Sequence, residues 1–392
     1  MGRKFKIAQL VPYYSPAIGG VEVVCQYISE ELATRGHDVH VFTSNRNHKG
    51  SARLDVAPHE IIGGVNVHRF KTYISAGHYG LFPGFIKPLI NGGFDIIHSH
   101  GYRQPQSEIA ARIGAWLKIP TVLHIHGGFY TRSNFKKIMY GLYDQAACSG
   151  FVSKFNQFIV FSEIDKARLI RFNVDEDQIS LIRNAAENDA FKIADSSGFR
   201  ARHGLENKKV VLYLGILHHF KRPELLLQAL PMLVAKEPNV FLLFVGPDAG
   251  QLEVMNRLAQ KLGLTAHYKW IGPLKGQEKH EALQCSEFVA LPSDEDPYPL
   301  VLLEAMAHSK PVLTTSAVGQ ASVISENEAG IVVNPGDIDG IARAALRLLL
   351  DGEFRAKAGT SAGRLAQELY SVRSAVDKIE QLYESLAPKN RL

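Results

Sequence analysis

With 392 residues, the chain is too long for one ordinary domain and suits two of about 150–200 residues. A content of 46% hydrophobic and 21% charged residues excludes a disordered chain, and 33 glycines and 18 prolines exclude collagenous or low-complexity sequence. The net charge of +5 is modest but uneven: residues 1–187 carry 21 Lys and Arg against 15 Asp and Glu, and the remainder 23 against 24. Within 61–137 the balance is nine (Arg69, Lys71, Lys87, Arg103, Arg112, Lys118, Arg132, Lys136, Lys137) against two (Asp95, Glu108). Such a stretch is either solvated surface or a patch for an anionic ligand or a membrane face. No recognition motif accompanies it, so nucleic acid is not an expected partner.

The N-terminus, Met1-Gly-Arg-Lys-Phe-Lys6, is basic, but the apolar stretch behind it carries Gln9 and stops at Pro12. That reads as a first strand near 5–11 and not as a secretory leader. Lys6 also breaks the myristoylation pattern, and no apolar run approaches the ~20 residues of a bilayer span. A helix is expected over 20–35, with Val21, Val24, Cys25, Ile28 and Leu32 on one face and Gly36 as its stop. Further strands are expected near 38–43, 65–70, 95–98, 120–125, 157–161 and 178–182. After them, residues 188–209, with Asp195-Ser-Ser-Gly198, read as a linker. The rhythm resumes with strands near 210–215, 240–245, 267–271, 287–291, 311–314 and 330–333. Alternation of this kind predicts parallel sheets covered by helices on both faces. The fold class is therefore α/β, as two doubly wound domains, 1–187 and 188–369. The helices beyond about 353 have no strand after them, and one, near 370–388, is expected to pack back on the first domain. Cys25, Cys148 and Cys285 lie far apart, fit no metal spacing and point to a reducing cytoplasm.

In open α/β sheets ligands gather outside the carboxyl ends of the strands. Two sheets presenting such ends to each other would make a cleft between the domains. Gly19-Gly20 follows the first strand and opens a helix, where free N–H groups attract phosphate; a plain tight turn is the alternative. No dinucleotide or Walker-type glycine pattern occurs. His98/His100 and His124/His126 each put both members on one strand face. Zinc needs three or four convergent ligands, and no cysteine or HExxH pattern supports it, so no metal is expected. The pairs read as three structural histidines and, at His126, a polar contact to substrate. Lys221 stands between a strand end at Gly215 and a helix starting near Pro223, where a cation can meet an anionic leaving group. The densest signal is Asp296-Pro-Tyr-Pro-Leu-Val-Leu-Leu-Glu304. Pro299 suits a first helical turn, leaving the N–H groups of Leu300 and Val301 for an anion. Glu304 interrupts an otherwise apolar helix, which is costly unless its carboxylate bonds something.

With these residues placed, the chain resembles the family 4 glycosyltransferases, the retaining, nucleotide-sugar-dependent group with the GT-B fold, from about residue 4 to about 380. The resemblance runs through Gly19-Gly-Val-Glu22, Arg35-Gly-His-Asp-Val39, Asp95-Ile-Ile-His98, His124-Ile-His126-Gly127, Val160-Phe-Ser162 and Ile182-Arg-Asn184. It continues through Asp296 to Glu304, Ala305-Met-Ala307 and Lys310-Pro-Val312. Each piece is short, but order and spacing together are specific. The resemblance implies that Gly19 and Gly20 approach the donor diphosphate and that Lys221 binds it, beside Gly215 and Arg222. It implies that Asp296 touches the donor sugar, Glu304 the ribose hydroxyls, and His126 the sugar and acceptor. Backbone from Ile271 to Leu274 would hold the nucleobase, with no cofactor and no metal. Three positions depart from the family: Asp296 stands where Glu is usual, Ile216 where an Arg usually follows the glycine, and Pro299 where glycine is common. Arg222 is then the nearest replacement for the missing cation.

The expected activity is transfer of a hexose or related sugar from a nucleotide diphosphate to an acceptor hydroxyl, with retention, in glycoconjugate or polysaccharide biosynthesis. A glycan or lipid-linked acceptor is expected, with peripheral membrane contact at the inner face of the cell membrane. Two rivals stay open at this point: an epimerase of nucleotide sugars on the same fold, which needs no acceptor, and a non-catalytic two-lobed sugar-binding protein.

Overall fold

The computed structural model describes residues 3–17, 19–46, 54–76, 79–126, 139–141, 143–144, 150–186, 188–191, 194–296 and 298–387. The chain divides into two compact units, 1–184 with 372–392, and 185–371.

Unit 1 is built on an eight-stranded sheet. Its strands are β1 (Lys6–Leu10), β2 (Asp38–Ser44), β3 (His59–Ile62), β4 (Val65–Phe70), β7 (Ile96–His100), β8 (Thr121–His124), β9 (Gln157–Val160) and β10 (Ile179–Leu181), while β5 (Ile74–Ala76) and β6 (Tyr79–Leu81) form a separate hairpin. The order β10-β9-β8-β7-β1-β2-β4-β3 is parallel except at its edge, where β3 runs antiparallel to β4. The all-parallel expectation fails there. The hairpin turns through Gly63 and Gly64, at φ +55 and +81, a backbone that glycine adopts without steric cost. Helix α1 (Gly20–Thr34) follows β1 and buries Val24, Cys25, Ile28 and Leu32 as its periodicity predicts. Glu22 and Ser29 are buried with them, and Val21 is only half-buried. Helix α2 (Pro105–Leu117) leads from β7 to β8.

Unit 2 has six parallel strands in the order β13-β12-β11-β14-β15-β16. These are β11 (Lys209–Leu214), β12 (Val240–Val245), β13 (Tyr268–Trp270), β14 (Phe288–Leu291), β15 (Val312–Thr315) and β16 (Gly330–Val333). Every residue of β12 and β14 is buried, the pattern of strands covered on both faces, whereas the edge strand β16 is half-buried throughout. The helices that position the site are α3 (Glu224–Lys236), α4 (Gly276–Cys285) and α5 (Leu300–Ala307).

Residues 188–209 are not a loose linker. A helix over Ser197–His203 puts Phe199 fully into the unit 2 core, together with Leu205. The two apolar side chains outweigh the polar run at 195–198. After a last unit 2 helix, Gly352–Leu369, the C-terminal helix Val372–Leu386 belongs to unit 1 and packs on α1. Its Glu380 carboxylate takes Arg35 Nη1 at 2.5 Å and His37 Nε2 at 2.7 Å, and Asp377 takes the same Arg35 nitrogen at 2.6 Å. Among the described residues no helix is long and apolar enough to cross a membrane. Cys25 and Cys285 are free and buried, and Cys148 lies outside the described residues.

Candidate active site

In unit 2 the chain departs in opposite directions from β11, through β12 and β13 on one side and β14 onward on the other. The loops after β11 and β14 therefore meet at a topological switch point, where open α/β sheets hold ligands. Gly215, directly after β11, sits at φ +146, and Gly246, directly after β12, at φ +142. A Cβ at Gly246 would lie 1.9 Å from the Gly215 carbonyl oxygen, so the two turns approach too closely for any side chain there. Gly215 N donates to Val245 O at 2.9 Å and Gly246 N to Gly272 O at 2.8 Å, stitching three strand ends together. Ile216 is half exposed, and its carbonyl accepts the Tyr213 hydroxyl at 2.9 Å.

The loop then closes with Lys221 N donating to His218 O at 2.9 Å, and Asp294 N donates to Phe220 O at 2.9 Å. This tie across the switch point brings Lys221 and Asp296 together as an ion pair, Nζ to Oδ2. Asp296 is buried, and its carbonyl accepts Gly319 N at 3.0 Å. Arg222, at φ +51, turns the other way. Its guanidinium meets Glu224 Oε1 at 2.5 Å and Asp294 Oδ2 at 2.9 Å. Burial, with the Asp296 and Glu224 carboxylates nearby, pushes the Tyr213 hydroxyl well above its ordinary pKa.

Glu304 lies one turn into α5 and pairs with Lys279 of α4 at 3.1 Å, both side chains largely buried. The polar partner that its apolar helix demands is thus supplied within the chain. Sequence reasoning missed Lys279, since nothing local links a lysine on α4 to a carboxylate 25 residues later. Leu300 and Val301 form the first turn of α5 and are half-buried. Pro299 stands just before that turn and not within it, and its carbonyl accepts Gln320 Nε2 at 3.1 Å. Ile271 and Leu274 pack half-buried against the unit 2 core. Lys221, Asp296, Gly215 and Arg222 are therefore gathered at one switch point, with Glu304 anchored separately by Lys279.

In unit 1, β1 lies between β2 and β7, which makes the ends of β1 and β7 its switch point. Gly19 is extended, at φ −163, and caps α1, which starts at Gly20. His98 and His100 on β7, His124 on β8 and His126 just beyond it bring their rings together, stacked or slightly tilted, with neighbouring centroids 4.5–5.4 Å apart. Burial pushes all four well below the ordinary imidazole pKa, so they are neutral. Ring nitrogens of His98, His100 and His124 come within 4.8 Å of one another. Both His100 nitrogens are engaged, with Gln9 at 2.7 Å and His126 at 2.9 Å, and His98 Nδ1 with the Tyr383 hydroxyl at 2.6 Å. Within this group His98 Nε2 and both His124 nitrogens have no hydrogen-bond partner.

The basic stretch is partly neutralised. Arg69 pairs with Glu60, and Arg103 forms a buried pair with Asp144, Nη2 to Oδ2 at 2.5 Å. Lys71, Lys87, Arg112 and Lys118 remain exposed. Arg132, Lys136 and Lys137, together with Gly127, lie outside the described residues.

Residues 18–189 match the family model described as Glycosyltransferase Family 4, and residues 195–364 that of Glycosyl transferases group 1. N-acetyl-alpha-D-glucosaminyl L-malate synthase of Bacillus anthracis is 26% identical over 380 residues, covering 94% of this chain and 94% of its own. D-inositol 3-phosphate glycosyltransferase of Saccharomonospora viridis is 25% identical over 396 residues, covering 93% of this chain and 89% of its own. In fold the chain is similar to the Anabaena HepE protein, solved in complex with UDP, at a TM-score of 0.77 and 20% identity over 97% of this chain and 100% of that one. Two doubly wound units, family models matched in order across both, and full-length relatives of one reaction class lead to one assignment: the chain belongs to the family 4 glycosyltransferases, as a nucleotide-sugar-dependent transferase of the GT-B fold.

Proposed function

We propose that this enzyme is a retaining, metal-independent glycosyltransferase that moves a sugar from a nucleoside diphosphate to the hydroxyl of an anionic acceptor. The observation that carries this reading is the Lys221–Asp296 pair at the unit 2 switch point. Departure of the nucleotide leaves a diphosphate anion and an oxocarbenium-like sugar. A cation beside a carboxylate serves both, Lys221 for the diphosphate and Asp296 for the sugar. Gly215 lets the diphosphate approach the backbone, and the α5 N-terminus at Leu300 and Val301 faces negative charge favourably. Glu304 takes the ribose hydroxyls, the backbone of Ile271 to Leu274 the base, and Arg222 is an outer support. In unit 1, Gly19 and Gly20 approach the diphosphate and His126 the sugar and acceptor. No cofactor is needed, because the leaving-group charge is met by Lys221 and backbone amides.

The test is transfer with an anomerically pure donor, followed by proton NMR of the product. Net retention of configuration at the anomeric carbon, with product only when an acceptor is present, is the expected result. An inverted anomer, or turnover without acceptor, would refute the reading.

The acceptor class is supported from two sides. Malate and inositol 3-phosphate, in the names of the two relatives, are anions, and four cations of the basic stretch remain exposed in unit 1. An anionic glycan or lipid-linked acceptor places the enzyme in the cytoplasm, in peripheral contact with the inner face of the membrane. Anionic vesicles should therefore carry the protein upward in flotation at low salt while neutral vesicles do not, and added salt should release it. Equal behaviour of the two vesicle types would sink the membrane contact.

A further inference from the structure

The histidine stack of unit 1 also determines where His126 keeps its proton. His126 Nε2 lies 2.9 Å from His100 Nδ1, and His100 Nε2 lies 2.7 Å from Gln9 Oε1. A carboxamide oxygen only accepts, so His100 Nε2 carries a hydrogen. A neutral imidazole has one such hydrogen, which leaves His100 Nδ1 a bare lone pair. The bond between the rings must then be donated by His126 Nε2, and the Nδ1 of His126 stays unprotonated. Neutrality is secured by burial, which lowers His100 to about 3 and His126 well below its ordinary value. The titratable groups facing His126 from the packed elements are His98 and His100 on β7 and His124 on β8, all kept neutral by burial, with Tyr383 of the C-terminal helix behind His98. The Phe161 ring, 5.1 Å away, closes the apolar side.

We infer that Gln9 and His100 are positioning residues that lock His126 as its Nε2–H tautomer, so that it meets the ligand only as a hydrogen-bond acceptor, through Nδ1. The inference rests on the placement of His126 at the sugar and acceptor. It adds the chemistry required of the ligand there: a group that donates, a hydroxyl, and not one that only accepts. Second groups that orient an imidazole and set its tautomer are a recurrent device in catalytic sites.

The experiment reads tautomers directly, by long-range proton–nitrogen NMR of protein labelled with 15N-histidine, with the His126 signals identified from their loss in His126→Asn. The wild-type protein should show His126 protonated at Nε2. Gln9→Met keeps a similar volume but removes the acceptor, so it should give a mixture of His126 tautomers and lower kcat roughly tenfold with little change in KM for the donor. A purely structural role of Gln9 would leave the single tautomer intact in a folded Gln9→Met protein, so the tautomer mixture separates the two roles. His126 protonated at Nδ1 in the wild type, or a single unchanged tautomer in a folded Gln9→Met protein, would overturn the relay. If the tautomer follows Gln9 while kcat does not, it is the placement of His126 at the substrate that fails.

Discussion

Lys221→Ala is expected to lower turnover on the true donor by about 100-fold, or roughly 3 kcal/mol, because a charge-assisted contact strengthens as the leaving diphosphate gains charge. Two observations make Lys221 the principal side-chain cation of the switch point. The position that follows Gly215 is occupied by Ile216, which offers no charge. Arg222, the neighbour that could replace it, is held between Glu224 and Asp294, so its charge is largely met already. Arg222→Ala should therefore cost less than about tenfold. Ile216 is half exposed on the same loop, and Ile216→Arg should tighten nucleoside diphosphate binding if that position faces the donor. Single-turnover assays and titration calorimetry measure both effects. Near-normal turnover of Lys221→Ala would remove Lys221 from the reaction.

Asp296→Asn and Glu304→Gln are expected to separate sugar chemistry from nucleotide binding. Asp296 pairs with the ammonium assigned to the diphosphate, so a donor must compete with that carboxylate. Asp296→Asn ends the competition. Affinity for the free nucleoside diphosphate should stay level or rise by up to about tenfold, while turnover falls on the order of 100-fold as the developing sugar cation loses its counter-charge. Glu304→Gln should do the reverse in binding. It keeps the size of the side chain but weakens the ribose contact and leaves Lys279 without its carboxylate, for a loss of about tenfold in nucleotide affinity. Calorimetry with nucleoside diphosphate alone tells the two apart. Equal losses in both variants would show that Asp296 touches the nucleotide and not the sugar.

Much of this architecture was legible from local pattern. The thirteen strands expected from short β-rich apolar runs all occur within a residue or two, since burial on both faces demands near-continuous apolar sequence. The start of α1 at Gly20 and the order of the site loops were equally readable. The exceptions share a cause. Strand β3 (HEII) has too few apolar residues to announce itself, and it is paired along one edge only. Residues 188–209 looked like a linker because Asp195-Ser-Ser-Gly198 is polar, yet Phe199 and Leu205 carry that segment into the core.

For the site, the amino-acid order determined which residue types stand at the strand ends: Gly215, Lys221, Asp296 and Glu304 in one unit, Gly19 and His126 in the other. Local periodicity and turn chemistry act over a few residues, and those positions follow from them. The choice of partners was settled in three dimensions. Lys221 meets Asp296 across 75 positions, Glu304 meets Lys279 across 25, and Tyr383 reaches His98 across 285. Such pairs depend on which strands lie side by side and on where the last helix docks. A buried charge or imidazole takes whichever partner the assembled sheet brings within hydrogen-bond reach, and strand order is not written in the spacing of residues along the chain.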